Sequence, residues 1–178
     1  MRLNFRFSNI LGSVFAGGNN LLFTPDSYSL VSPVGNRVAI LDLKNNVSRT
    51  LEPENGRNVD RVAVSPCGSL LISIDDSGRA ILVNISRGAI LAHHSFKTRV
   101  SDIQFSPDGK LFAVAVGSKC QVWKTPHLNR EFAPFVLHHT YTGHFNDIVS
   151  ISWSACSTYF ITTSTDMTSR IYSAVLVK

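Results

Sequence analysis

The sequence has no apolar run approaching the roughly 20 residues that cross a bilayer as a helix. It has no segment of convincing helical spacing, and it is poor in charge, with Asp, Glu, Lys and Arg making up 16% of its 178 residues. The first absence argues against a membrane-spanning helix and the second against a helical fold. The third, set beside 44% hydrophobic residues, excludes disorder as the main state. Cysteine is also scarce. Cys67, Cys120 and Cys156 are odd in number and far apart. They form neither the dense, even set of a secreted disulfide framework nor the close pair of a zinc site. Structural thiols in a reducing compartment are expected. The opening MRLNFRFSNILGSVF carries Arg2 and Arg6 without an unbroken apolar run of signal-peptide length. The sequons at Asn46 and Asn84 then mean no more than turn-friendly residues. An intracellular, soluble chain is expected.

What is present is a repeat. Four segments align, at 21–43, 62–84, 103–124 and 151–173. Each opens with an apolar strand ending in Phe23, Val64, Phe105 or Trp153, at spacings of 41, 41 and 48 residues. A tight turn follows: Thr24-Pro25-Asp26-Ser27, Ser65-Pro66-Cys67-Gly68, Ser106-Pro107-Asp108-Gly109 and Ser154-Ala155-Cys156-Ser157. Proline presets one φ, Asp bonds its own backbone and Gly accepts a positive φ, so these are hairpin turns. The strands beyond them, Leu70-Leu71-Ile72 and Leu111-Phe112-Ala113-Val114, are nearly continuous in apolar residues, as strands covered on both faces are. A period of about 40–45 residues is that of one four-stranded propeller blade. The fold class is all-β, a WD-repeat β-propeller.

Outer strands are expected at 89–94 and 135–139, the second after a longer loop around Pro126 that accounts for the 48-residue spacing. Residues 1–20 read as an N-terminal strand, Leu3-Asn4-Phe5-Arg6-Phe7, and a lead-in. Residues 21–178 read as a partial propeller with blades at about 21–57, 59–98, 100–140 and 143–178. Propellers close with four to eight blades and the fourth copy shows no outer strand. The chain is therefore expected to be the N-terminal part of a longer one.

Few residues suggest chemistry. Gly143-His144 precedes the fourth repeat, and Asp166 lies in its second turn. In WD-repeat blades the Gly-His and Trp-Asp pairs mark a hydrogen-bonded set of loop His, turn Asp, second-strand hydroxyl and third-strand aromatic. By that resemblance the set is His144, Asp166, Thr162 and Tyr172, a structural set in which buried polar groups satisfy one another. A His–Asp acid/base couple is the competing reading. Trp123 holds the third-strand aromatic position of blade three, with Leu41 and Val83 there in blades one and two, followed by Asp42 and Asn84. Asp75-Asp76 reads as turn chemistry. His93-His94 and His138-His139 point to opposite strand faces and cannot chelate one ion as neighbours. Gly17-Gly18 is a loop signal, not a phosphate loop. No catalytic, metal or cofactor site is read, and no small-molecule substrate. The excess of 17 basic over 12 acidic residues permits contact with RNA, although the cations are scattered and read first as a solvated surface.

Segments outside the repeat signature add a resemblance. RFSNILG (6–12), SPVGNRV (32–38), LKNN (43–46), DDSGRAILVN (75–84) and REFAPFV (130–136) closely resemble the N-terminus of the periodic tryptophan protein 2 family. Those are WD-repeat subunits of the UTP-B subcomplex of the small-subunit processome. The resemblance implies a nucleolar, non-enzymatic scaffold of tandem propellers. Its implied partners are other WD-repeat subunits of UTP-B, the 5′ external transcribed spacer of pre-ribosomal RNA, and small nucleolar RNA within the assembly, with no membrane. It implies a role in pre-rRNA processing and 18S rRNA maturation. A WD-repeat adaptor in a ubiquitin ligase or vesicle coat is the alternative. A propeller hydrolase would need acidic or His residues converging on the central channel, and no such set is visible in the sequence.

Overall fold

The computed structural model describes residues 21–127 and 133–174. The expected lead-in at 1–20, Gly17-Gly18 included, lies outside the described residues, as do residues 128–132 and 175–178. Fifteen strands and no helix are described, arranged in four antiparallel sheets taken in chain order. The first sheet holds β1 (Leu22–Phe23), β2 (Ser29–Val34), β3 (Arg37–Asp42) and β4 (Val47–Thr50). The second holds β5 (Val59–Val64), β6 (Leu70–Asp75), β7 (Arg79–Asn84) and β8 (Ala89–Ser95). The third holds β9 (Val100–Phe105), β10 (Leu111–Val116), β11 (Lys119–Lys124) and β12 (Val136–Tyr141). The fourth holds β13 (Ile148–Trp153), β14 (Tyr159–Ser164) and β15 (Ser169–Ser173). Each is a simple meander, as short hairpin turns dictate.

The blades stack through cores that split each central strand by its two-residue period. In blade two, Leu71, Ile81 and Val83 pack toward blade one with Val31 and Val38. Their neighbours Ile72, Ile74, Ala80 and Leu82 pack toward blade three with Phe112 and Val114. In blade three, Ala113, Ala115, Cys120 and Val122 face Ile151 and Phe160 of blade four. This explains why β6 and β10 are apolar throughout rather than alternating: both faces are dry, and Leu71, Ile72, Phe112 and Ala113 are all fully buried. Blade four has one such face. Its other side leaves Val149, Tyr159 and Ile171 more than half exposed.

The first hairpin turn of each blade behaves as its sequence predicts and does one thing more. Gly68 and Gly109 adopt φ of 70° and 71°. Each also lies against the proline of the preceding blade's turn: a Cβ at Gly68 would sit 3.6 Å from Pro25, and one at Gly109 3.7 Å from Pro66. The turns therefore register neighbouring blades. In blade four Ser157 takes the glycine place at φ 57°, and its Oγ accepts a bond from the Asp108 N–H at 3.0 Å.

Candidate functional site

The residues expected to form a polar set lie where the loop entering blade four meets its second hairpin. His144 Nδ1 is 3.0 Å from Asp166 Oδ2, and His144 Nε2 is 2.8 Å from Thr162 Oγ1. A carboxylate only accepts, so Nδ1 carries the proton and donates to Asp166, leaving Nε2 to accept from the threonine hydroxyl. Asp166 also accepts from the Phe145 N–H at 3.1 Å, the Thr168 N–H at 2.9 Å and the Thr168 hydroxyl at 2.6 Å. The Thr168 hydroxyl first, then the Phe145 amide and the His144 ring, hold its carboxyl well below the ordinary carboxylate range, against partial burial. Thr168 was not read from the sequence as a member. Its place two residues after a turn Asp is the ordinary address of a hydroxyl that returns to that carboxylate.

Tyr172 lies apart from that hydrogen-bond chain. Its ring stacks on Phe160 with centroids 5.4 Å apart, while its hydroxyl donates to the Thr142 carbonyl at 3.4 Å. Gly143 is required beside it. At φ 144°, an added Cβ would fall 2.7 Å from Arg170 Nη1 and 3.3 Å from the Tyr172 hydroxyl. The His144 side chain is 1% exposed with both ring nitrogens engaged. The arrangement ties loop to hairpin and presents no nitrogen to a substrate.

The same plan recurs with different chemistry. His144 and Thr162 are eighteen residues apart. In blade two the same separation joins Asn55 and Ser73, both buried: the Ser73 hydroxyl donates to Asn55 Oδ1 at 2.8 Å and Asn55 Nδ2 donates to the Ser73 carbonyl at 3.3 Å. In blade three the corresponding places are Phe96 and Val114, both buried in one apolar cluster. The position after the third-strand aromatic caps the next turn. Asp42 Oδ1 accepts from the Lys44 and Asn45 N–H groups at 2.9 and 3.0 Å, and Asn84 Oδ1 from the Arg87 N–H at 3.2 Å. Blade three has Lys124 there, which cannot accept, and the connection that follows is longer.

Innermost strands carry a second network. Asp60 in β5 is held by Arg61 Nη1 at 3.0 Å and by Arg99 Nε at 2.9 Å. Arg61 Nε reaches across to the Ser101 carbonyl of β9 at 2.6 Å. Asp102 accepts from its own neighbour Ile103 at 2.8 Å and from the Ile151 N–H of β13 at 2.7 Å. Burial pushes its carboxyl up, and these two amides oppose that. The acidic groups of the inner strands are thus engaged in ties between blades. Residues some forty to fifty apart make these contacts, so no local motif announced them.

The remaining candidates separate. Asp75 Oδ1 accepts from the Ser77 and Arg79 N–H groups at 2.9 Å each, while Asp76 is on the surface, 3.7 Å from Arg57. His94 stacks on Phe135 at 4.6 Å, and burial lowers its pKa. His139 packs edge-on to Tyr141 at 4.7 Å. Among the described residues no three His, Cys, Asp or Glu side chains gather in a metal-holding group. Cys120 is fully buried, its thiol pushed up to about 12 by burial and by the Asp102 carboxylate. Exposed Cys156 sits where the blade-three turn has Asp108, and bonds from Ser154 and Thr158 lower its thiol to about 7.

Comparison with known proteins fits this architecture. The WD domain, G-beta repeat model matches residues 86–124 and 135–173. Those spans run β8–β11 and β12–β15, so each sequence repeat starts with the outer strand of one blade and continues into the next. The chain is 54% identical over 175 residues to the periodic tryptophan protein 2 homologue of Schizosaccharomyces pombe, covering 97% of the chain and 20% of that protein. It is 49% identical to periodic tryptophan protein 2 of Saccharomyces cerevisiae over 175 residues, covering 97% of the chain and 19% of that protein. With the Mus musculus homologue it shares 42% over 174 residues, 98% of the chain and 19% of that protein. The chain thus spans about a fifth of the length of the curated relatives it matches. With 42–54% identity to them over nearly its whole length, it belongs to the periodic tryptophan protein 2 family of WD-repeat proteins.

Proposed function

We propose that this chain is part of a non-enzymatic scaffold in small-ribosomal-subunit biogenesis, acting in the nucleolus within UTP-B and the small-subunit processome. Its partners there are other WD-repeat subunits, the 5′ external transcribed spacer of pre-ribosomal RNA, and small nucleolar RNA within the assembly. Its contribution is to support pre-rRNA processing and 18S rRNA maturation. The observation that carries this is identity to periodic tryptophan protein 2 over 97% of the chain, which takes in segments such as RFSNILG and REFAPFV that ordinary blade turns do not supply. On this reading His144, Thr162, Asp166 and Tyr172 are structural, keeping the loop and hairpin of blade four in place for contact with neighbours. Scaffolding suits the geometry because stacked blades offer rigid rims on which exposed loops are held. RNA contact through the excess of cations is electrostatic and falls steeply with salt.

The test is tagging of the full-length protein in its own cells, followed by quantitative mass spectrometry and RNA sequencing of what co-purifies. Processome subunits and spacer RNA are expected, with the RNA share dropping as the wash salt rises. Recovery of ubiquitin-ligase or coat components in their place would overturn the proposal.

A further inference from the structure

A groove of about 620 Å3 runs along the blade-two side of blade three. It is bounded by the first turns of blades two and three and by the connection from β11 to β12. Its floor and walls are aliphatic, built from Leu111, Pro126, Pro134 and Val136, and two ammonium groups, Lys110 and Lys124, stand over it. No carboxylate lines it. The nearest described partner is Asp108, at 3.9 Å from Lys110 Nζ, and the Lys110 side chain is 82% exposed. A pair that loose and that wet is worth little, so the groove keeps its positive sign. Thr125, also in the wall, has a buried hydroxyl without a hydrogen-bond partner among the described residues. Buried polar atoms are nearly always satisfied, so an unmet hydroxyl beside a groove is available to a ligand's own backbone.

We infer that this groove binds an acidic peptide segment of a partner protein, one that alternates Asp or Glu with bulky apolar side chains. The apolar side chains settle on the prolines and Val136, the carboxylates meet Lys110 and Lys124, and a backbone group of the peptide meets Thr125. Charge complementarity selects an acidic occupant and steers its approach. The lining selects protein over nucleic acid: it includes no Phe, Tyr or Trp, and single-stranded RNA binds through aromatic stacking platforms as well as charge. This inference goes beyond the assembly proposed above and does not depend on it.

The experiment uses the full-length protein and three fluorescent probes of equal net charge. One peptide alternates acidic residues with Leu and Phe, a second carries Ser in place of Leu and Phe, and the third probe is an oligouridylate. Fluorescence anisotropy is read for the native protein, for Lys110→Glu/Lys124→Glu and for Lys44→Glu, a charge reversal in a turn of blade one. The acidic-apolar peptide is expected to bind best. The double reversal is expected to weaken it by about tenfold or more, Lys44→Glu to leave it unchanged, and the serine peptide to bind about tenfold more weakly. Since the lysines are surface groups, melting curves of the variants should match the native one. Equal binding of the two peptides, insensitivity to the double reversal, or an oligouridylate that binds more tightly than the peptide and loses its binding on reversal would each overturn the inference. The last result would make this an RNA surface.

Discussion

Blades three and four share one plan and solve one problem differently. In blade four the entering loop is tied to the second strand by His144 and Thr162, while in blade three Phe96 and Val114 fill the same two places. Blade two lies between, with Asn55 and Ser73. What the position demands is a filled, dry link from loop to strand. An apolar link supplies burial without direction, whereas a hydrogen-bonded link fixes orientation and is costly when broken. The blades differ in their faces too. Blade three is covered on both sides, and blade four is covered on one.

The comparison is tested most severely by removing the side chain that blade three buries most deeply. Phe112→Ala should cost about 3–5 kcal/mol, read from the urea midpoint of the propeller transition in the full-length protein. The same truncation at Ile161, on the uncovered side of blade four among the described residues, should cost less. Equal costs would mean that Ile161 is covered in the intact protein. Next, converting the polar link to the apolar one by His144→Phe should cost about 1–3 kcal/mol, because Thr162 and Asp166 lose their partner. Adding Thr162→Val should return part of that loss. A double variant no better than the sum of its parts would show that the two links are not interchangeable. In blade two, Ser73→Ala should cost about 1 kcal/mol by unpairing Asn55.

Acid separates the blades in sign. Asp166 has a lowered pKa when folded, so its contribution is present above the ordinary carboxylate range and is lost as pH falls through and below that range. Asp102 has a raised pKa, so its protonation favours the folded state as pH falls. Asp166→Asn should flatten the acid limb of a stability–pH profile, and Asp102→Asn should steepen it. The smallest effect expected is chemical. At neutral pH iodoacetamide should label Cys156 of blade four and spare Cys120 of blade three, as peptide mass spectrometry would show, with no change in melting temperature.

Much of this was legible in the sequence because propeller turns are written locally. Ser106-Pro107-Asp108-Gly109 states its own geometry, and the run Leu111–Val114 states that both faces are dry. His144, Thr162 and Asp166 were also legible, being local to one blade. Asn55 and Ser73 were not, since neither residue type carries a signature and only the shared separation of eighteen relates them to His144 and Thr162. The Tyr172 hydroxyl escaped because a phenol reaches further than an indole N–H and finds the Thr142 carbonyl. Arg61 to Ser101 and Asp102 to Ile151 escaped because stacking, not chain proximity, brings them together. The groove over Pro126 and Pro134 is likewise a product of two turns from different blades.

The offset between sequence repeat and sheet, with each repeat supplying the rim strand of one blade and the inner strands of the next, bears on how the chain folds as it is made. A nascent blade lacks its last strand until the following repeat starts to emerge, so its hydrogen-bonding edge closes in the same interval in which its apolar face gains a cover. Vectorial synthesis then shields both hazards, edge and face, with one stretch of polypeptide. It also means that excising a single repeat would not delete a blade but would fuse two halves.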